Sequence, residues 1–514
     1  MGCRALRWPT SWAVPVDFIP GLLLVLGVTW LLLDLPLTIV AALLIGVCVL
    51  LLILIRPRYG LYLLAFAVPF GSIWEISVGA LSIGATEVLV VATLGAWLIR
   101  LMAIPNERKR SFGLHLAFPL GLLASLILIS VPGAFSYSAS LREVLRWMEF
   151  VGLYLFVASY LRSNDVISFV GLTVLAGCAQ AAVGIYQTVQ GIGPEGFLLF
   201  GRFIRSYGTF EQPNPFAGYL GLVIPMGYAF LVTRGHRLWS KGWRGRGYWL
   251  LAALGSAVMG VGLLASWSRG AWLGFAGAFL VMSISVNRRA PLLFLMICLV
   301  VLFVLLLGAF DALPSVIVER LTDFASYWGV WDVRGIEVTP QNYAILERVA
   351  HWQAAWGMFE ASPWLGVGIG NYSATYSQYA LPGWGDSLGH AHNFYLNILA
   401  EAGLVGLVGY LFFWGSCLWA AWRTLRMTRG INQTLTLGIL GVIVAFSIHN
   451  VFDNLYVHGM NLHIAALVGS LEVLRYNLKD KSSSDCIGTP GSEMKHSVGF
   501  DAISIERARS VVND

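Results

Sequence analysis

In a chain of 514 residues, 57% of the side chains are apolar and only 12% are charged. A soluble domain carries about 25% charged residues, so half of the usual polar surface is missing and a water-soluble fold is excluded. The net charge of +6 is placed as cytoplasmic anchoring, which removes nucleic acid as the expected partner.

In chain order, the apolar runs predict membrane helices near 18–33, 36–55, 59–72, 83–102, 114–131, 145–162 and 166–190. Seven more follow near 214–233, 248–267, 270–286, 291–311, 393–422, 433–450 and 457–474. About fourteen spans (12–14) make an all-α polytopic membrane protein. The run at 59–72 is too short to cross alone unless it extends through Ile73–Val78. Met1–Asp17 is short and two apolar runs follow in quick succession, so no cleaved signal is expected. The polytopic domain is expected over 1–478, with a long outer loop at 312–391 inside it. A Ser-, Gly- and charge-rich tail at 479–514 is expected to be disordered.

Charge alternates between connectors. Arg56/Arg58, Arg108–Arg110, Arg162, Arg234–Arg246, Arg288/Arg289 and Arg423–Arg429 fall in every second one. The intervening connectors hold arginines only: 142, 146, 202, 205, 269, 320, 334 and 348. The positive-inside rule then places both termini in the cytoplasm. Cys48, Cys178, Cys298 and Cys417 fall inside helices, and Cys3 and Cys486 on the cytoplasmic side, so no outer disulfide is expected.

Unusual residues gather on the outer side. They lie in Gly201–Pro215, in the tight turn Ser266-Trp-Ser-Arg269-Gly270, in the long loop, and at His390-Ala-His392-Asn393. In the loop, Thr339-Pro340 reads as a helix start. Ile345, Val349, Trp352, Trp356 and Phe359 then form one apolar stripe, as on a helix lying at the membrane interface or capping a cavity. Pro363 ends it, and Gly366–Gly370 reads as a flexible turn.

Bland readings suffice for several of these residues. Arg202, Arg320 and Arg334 are expected to reach lipid headgroups, and His449 and His458 to be simple interface residues. Arg142, Glu143, Arg146 and Glu149 are expected to form a local ion-pair network. Arg205, Arg269 and His392 stand apart, because each is at the outer end of a helix. Two guanidinium groups at a low-dielectric boundary suit a diphosphate, and a nearby imidazole suits proton acceptance from a hydroxyl. No two carboxylates stand one residue apart, so no carboxylate-held metal is expected.

His392-Asn393, followed by Gly403 and Gly406, resembles the O-antigen ligase/polymerase family of bacterial membrane glycosyltransferases. Arg348-Val-Ala-His-Trp352, Ser362–Asn371, Gly208-Thr-Phe210 with Pro213-Asn214, and Ser268-Arg269-Gly270 are also similar to that family, in order, over roughly Arg202–Gly406. The resemblance implies a GT-C-like fold in the bacterial inner membrane, with a site on the outer face and a polyprenyl (undecaprenyl) diphosphate-linked glycan as donor. It implies His392 as the essential histidine, Arg269 and Arg205 as diphosphate ligands, and neither metal nor other cofactor. Arg348, Asn214, Tyr207 and Asn393 are the candidate substrate contacts, and His390 or Asp386 could orient His392. The acceptor, whether lipid, protein or glycan, is left open. So are a ligase moving a finished glycan and a polymerase joining lipid-linked units. A transporter or flippase of lipid-linked sugars is the reading from another class, and it would call for charges near mid-membrane.

Overall fold

The computed structural model describes residues 36–71, 75–78, 81–104, 114–199, 201–286, 299, 303, 329–339 and 342–487. The predicted span at 18–33, all but two residues of that at 291–311, and Arg320 and Pro340 lie outside them. The described chain is almost wholly helical. Its helices are α1 (Leu37–Ile55), α2 (Arg58–Phe70), α3 (Ala85–Ala103), α4 (Ala117–Ile129), α5 (Tyr137–Tyr160), α6 (Ser163–Gln190) and α7 (Pro213–Trp239). They continue as α8 (Gly242–Ala265), α9 (Arg269–Val286), α10 (Tyr343–Ala361), α11 (Tyr372–Tyr379), α12 (Phe394–Met427), α13 (Ile431–His449) and α14 (Met460–Ile487).

Eight of these are long and apolar enough to cross a membrane, and two shorter apolar helices accompany them. This is an all-α polytopic membrane protein. The stretch around 59–102 takes neither of the forms expected from its hydropathy. α2 stops at Phe70, and an antiparallel hairpin of β1 (Glu75–Val78) and β2 (Leu81–Gly84) leads into α3. A second small hairpin, β3 (Leu198–Leu199) with β4 (Phe203–Ile204), precedes α7. α14 runs nine residues past 478, so 479–487 is helix rather than tail.

Among the described residues, α13 is packed closely against α7 and α9; it also lies against α12, and α7 against α8. Small residues let these backbones approach, as lipid requires where helix contact must beat contact with acyl chains. A methyl group on Gly438 would run into the Met226 sulfur, and one on Gly441 into that of Met282.

α12 is broken at Gly403, whose φ of 64° and ψ of −165° belong to a region open almost only to glycine. The break frees backbone groups, and the Gly-rich segment satisfies them. Leu404 N–H donates to Pro363 O (2.9 Å), Val405 N–H to Trp364 O (3.3 Å), and Val367 N–H to Ala400 O (2.9 Å). Gly366–Gly370 is therefore a docked strap, not the flexible turn expected from its glycines. Its backbone amides are fixed by partners that the sequence pattern does not display.

α10 also differs from its predicted face. It starts at Tyr343 after Asn342, and its buried side is Leu346, Val349, Ala350, His351, Ala354, Ala355 and Met358. Of the predicted stripe only Val349 is buried, while Trp356 is 49% exposed. The alanines win because α10 packs against α12, and close approach of two helices favours small side chains over Trp.

Candidate functional site

The site is assembled from loop-to-helix junctions at one end of the bundle. At the first, β4 leads into Arg205. Its Nε donates to Ser266 O (2.7 Å) and its Nη2 to Asn214 Oδ1 (3.1 Å). Ser206 N–H donates to Ala265 O, which ties this segment to the α8–α9 turn. That turn is tight: Trp267 is held at φ 53°, Ser268 N–H donates to the Ser266 hydroxyl, and α9 begins at Arg269 itself. Arg205, Asn214 and the Ser266–Arg269 turn thus form one cluster.

A second cluster surrounds His392. This residue is held at φ 50°, which is uncommon outside glycine and marks a constrained position. Neighbouring bonds fix it. Its own N–H donates to His390 Nδ1 (3.1 Å), Ala391 N–H to Asn397 Oδ1 (3.1 Å), and Phe394 N–H to Asn450 O (2.8 Å). The α12 entrance is therefore pinned to the end of α13. The His392 Nδ1 faces Asp453 Oδ1 at 3.7 Å, an ion-pair distance too long for a hydrogen bond. The opposite ring nitrogen, Nε2, is buried with no hydrogen-bond partner among the described residues.

His449 joins the two clusters. It is buried, and a Cβ on Gly218 of α7, or on Gly270 or Gly274 of α9, would meet it at 3.4, 3.1 or 3.4 Å. Gly270 also abuts Phe452, the residue before Asp453. His449 is thus a packed hub, not the simple interface residue expected. His458, the other such residue, has φ 51° and sets its ring edge-on to Phe210.

Burial alone would raise the Asp453 carboxyl, but the facing His392, His390 and His449 outweigh it and hold it well below the usual carboxylate range. Burial, countered in part by Asp453 and aided by His392 and Arg348, pushes His390 down to about 4. The cluster therefore carries an ionised carboxylate and a neutral His390 at neutral pH. Because His390 Nδ1 accepts a hydrogen bond, its single proton sits on Nε2.

Not every predicted contact joins this group. Arg348 donates to Ala344 O within α10 (3.0 Å), yet lies close enough to disfavour protonation of His390. Asn393 caps α12, its Oδ1 accepting from Leu396 N–H (3.1 Å), so its side chain is already engaged. Tyr207 packs on Phe197 (5.3 Å). Asp386 accepts from Leu388 N–H, and its charge is felt by His351, Tyr343 and Tyr376. The carboxylate beside His392 is Asp453 instead. Arg334, expected at headgroups, pairs with Asp332 at 2.7 Å, while Arg202 lies over Phe203. Of the predicted ion-pair network, Arg146–Glu143 is seen at 3.2 Å.

His390, His392 and Asp453 each present one ligand atom, all within 4.8 Å of one another. Two imidazoles and a carboxylate suit a divalent transition ion. Binding through His390 would have to displace its proton or the bond from His392 N–H, so the hydrogen-bonded arrangement already uses this set.

Residues 254–411 match the family described as O-Antigen ligase. The match runs from within α8 to within α12. Within the match lie Arg269, Arg348, Asp386, His390, His392 and Asn393, while Arg205 and Asp453 flank it in sequence and reach Ser266 and His392 inside it, and Asn214 binds Arg205. The chain is also similar to the teichuronic acid biosynthesis protein TuaE of Bacillus subtilis (strain 168), 29% identical over 126 residues. That match covers 24% of this chain and a quarter (25%) of the relative's length.

Proposed function

We propose that this membrane protein is a glycosyltransferase of cell-surface polysaccharide synthesis. It transfers a glycan from a polyprenyl diphosphate carrier to an acceptor hydroxyl at the outer face of the bacterial inner membrane, with both termini cytoplasmic. The observation that carries the reading is His392, whose Nδ1 faces an ionised carboxylate while Nε2 has no partner among the described residues. A general base needs one nitrogen charge-compensated and the other without a competing protein partner.

The step is a single displacement. The acceptor oxygen attacks the anomeric carbon and its proton passes to His392 Nε2. The bond from that carbon to the diphosphate oxygen breaks, and its electron pair leaves with the diphosphate. Asp453 compensates the imidazolium as it forms. Arg269 and Arg205 offset the charge growing on the departing diphosphate, and such electrostatic stabilisation ordinarily lowers a barrier more than proton transfer does. Asn214 and the Ser266 carbonyl hold the Arg205 guanidinium, and Arg348 on α10 meets donor phosphate or sugar in this reading. No step calls for a metal. The strapped long loop covers the site and limits competing hydrolysis.

A ligase and a polymerase differ here only in the acceptor, so product size separates them. Full-length protein in detergent, given a polyprenyl-diphosphate glycan and candidate acceptors, should yield one transferred glycan as a ligase and a ladder as a polymerase. His392→Ala should lower transfer by roughly 10²–10⁴-fold, the usual contribution of a positioned base, with protein yield unchanged. EDTA should leave the wild-type rate within about twofold. Near-normal transfer by His392→Ala refutes the base, EDTA loss restored by a divalent ion refutes metal independence, and carrier-linked glycan crossing vesicles without transfer favours a transporter.

A further inference from the structure

His351 lies on the face of α10 that turns toward the site, yet nothing in the displacement above uses it. It is 1% exposed. Its ring stacks on Tyr376 (centroids 4.8 Å, 21°), its Nδ1 is 2.9 Å from the Tyr372 hydroxyl, and it meets His392 in an edge-to-face contact (5.4 Å, 82°). Tyr372 is in turn anchored, its N–H donating to Glu401 Oε1 (2.9 Å). Ala391, between the two site histidines, is fully buried in the same small core as Ala354, Ala355, Tyr372 and Tyr376. The long-loop helices thus form a wall behind His392, and His351 is the part of that wall that touches its ring.

We infer that His351 is a positioning residue: tethered to Tyr372 and stacked on Tyr376, it fixes the plane of the His392 ring and so couples docking of the long loop to catalysis. The inference rests on the reading of His392 as the base. It supplies what the 3.7 Å separation from Asp453 lacks. A pair that is not hydrogen-bonded leaves the imidazole room to turn about its Cβ–Cγ bond. The edge-to-face ring of His351 opposes that turn from the long loop, beside that of His390 (4.5 Å, 76°). Neutral imidazole suits the task, because a cation there would oppose formation of the imidazolium on His392. Burial first, then His392 and His390, push His351 down to about 4, so it meets that requirement at neutral pH.

The test compares His351→Ala, His351→Phe, Tyr372→Phe and His392→Ala as full-length proteins, measuring kcat, donor KM and thermal midpoint. Loss of orientation alone costs up to about 10²-fold in rate. His351→Ala should therefore lower kcat at least about tenfold with donor KM within about twofold, the pattern of an interaction felt in the transition state. His351→Phe keeps both ring contacts and should recover most of that loss. The Tyr372 hydroxyl, also 3.2 Å from the His351 carbonyl, keeps a partner in that variant. Tyr372→Phe should cost several-fold in kcat, and it decides the matter if His351→Ala does not fold. Wild-type kcat in His351→Ala, or equal loss in the Phe and Ala variants with falling stability, overturns the inference while an inactive His392→Ala leaves the base in place. An active His392→Ala removes the base itself.

Discussion

Two regions of the bundle are both apolar enough to cross a membrane, yet they have opposite fates. In α1 only 6% of the most apolar stretch is buried within the protein, against 72% in α7 and 67% in α13. Fourteen of the nineteen residues of α1 are Leu, Ile or Val and Gly46 is its one glycine, whereas α7 carries Gly218, Gly221 and Gly227, and α13 carries Thr434, Thr436, Gly438 and Gly441. Lipid tails satisfy large aliphatic side chains as well as protein does, so the discriminating residues are small or weakly polar. Thr233 and Thr434 show the point, their hydroxyls 2.6 Å apart between α7 and α13. The candidate site stands on the ends of the tightly packed helices, where backbone positions are held best.

The sharpest way to break this comparison is at the site itself. Asp453→Asn keeps the shape and removes the charge that faces His392. An amide gives an imidazolium little stabilisation, so transfer should fall by roughly 10–100-fold, within the range a positioned acid–base group contributes. Yield and thermal midpoint should stay near wild type. Protein with unchanged kcat would show that the 3.7 Å ion pair is incidental packing and leave His392 without its charge partner.

A second test asks whether the strap matters as much as the site. Gly403→Ala drives a Cβ into the Trp364 carbonyl at a φ of 64°. The backbone penalty alone is about 1–3 kcal/mol, and the clash is with main chain that cannot turn aside. The variant should lose at least that much stability, read as a lowered thermal midpoint, and lose transfer through displacement of α10. Wild-type stability would mean that the kink relaxes without the strap.

These cases also show how far the sequence could be read. The apolar runs were legible because 3.6-residue helices in lipid need long uninterrupted stretches, and the described spans fall close to them. The hairpin over 75–84 was not, since four-residue strands carry too little pattern to stand out from a connector. His392, Arg205 and Arg269 could be nominated because each abuts a helix start or a tight turn. Asp453 could not. It is a lone carboxylate in a short interhelical turn, and contacts distant in sequence, such as Phe394 N–H on Asn450 O and the Tyr395 hydroxyl on Ser447 O, bring that turn to His392. His449 failed for a related reason: its glycine neighbours come from α7 and α9, far away in sequence. His351 stood in a recognised motif, but a histidine's role depends on what its ring touches. The α10 stripe misled because aromatic residues dominate any apolar count, while alanines made the contact.

The smallest expected effect belongs to α1, and it is informative for that reason. Leu44 is 54% exposed on a helix that the rest of the protein scarcely covers. Leu44→Ala opens no cavity, because acyl chains fill the space, so in lipid nanodiscs stability should change by less than about 0.5 kcal/mol and transfer by less than twofold. The matched change at Leu220 of α7, fully buried, should cost about 2–5 kcal/mol, the range for truncating a packed leucine. Equal costs at the two positions would mean that a second protein surface covers α1 in the membrane, and the contrast between lipid-facing and site-bearing helices would then disappear.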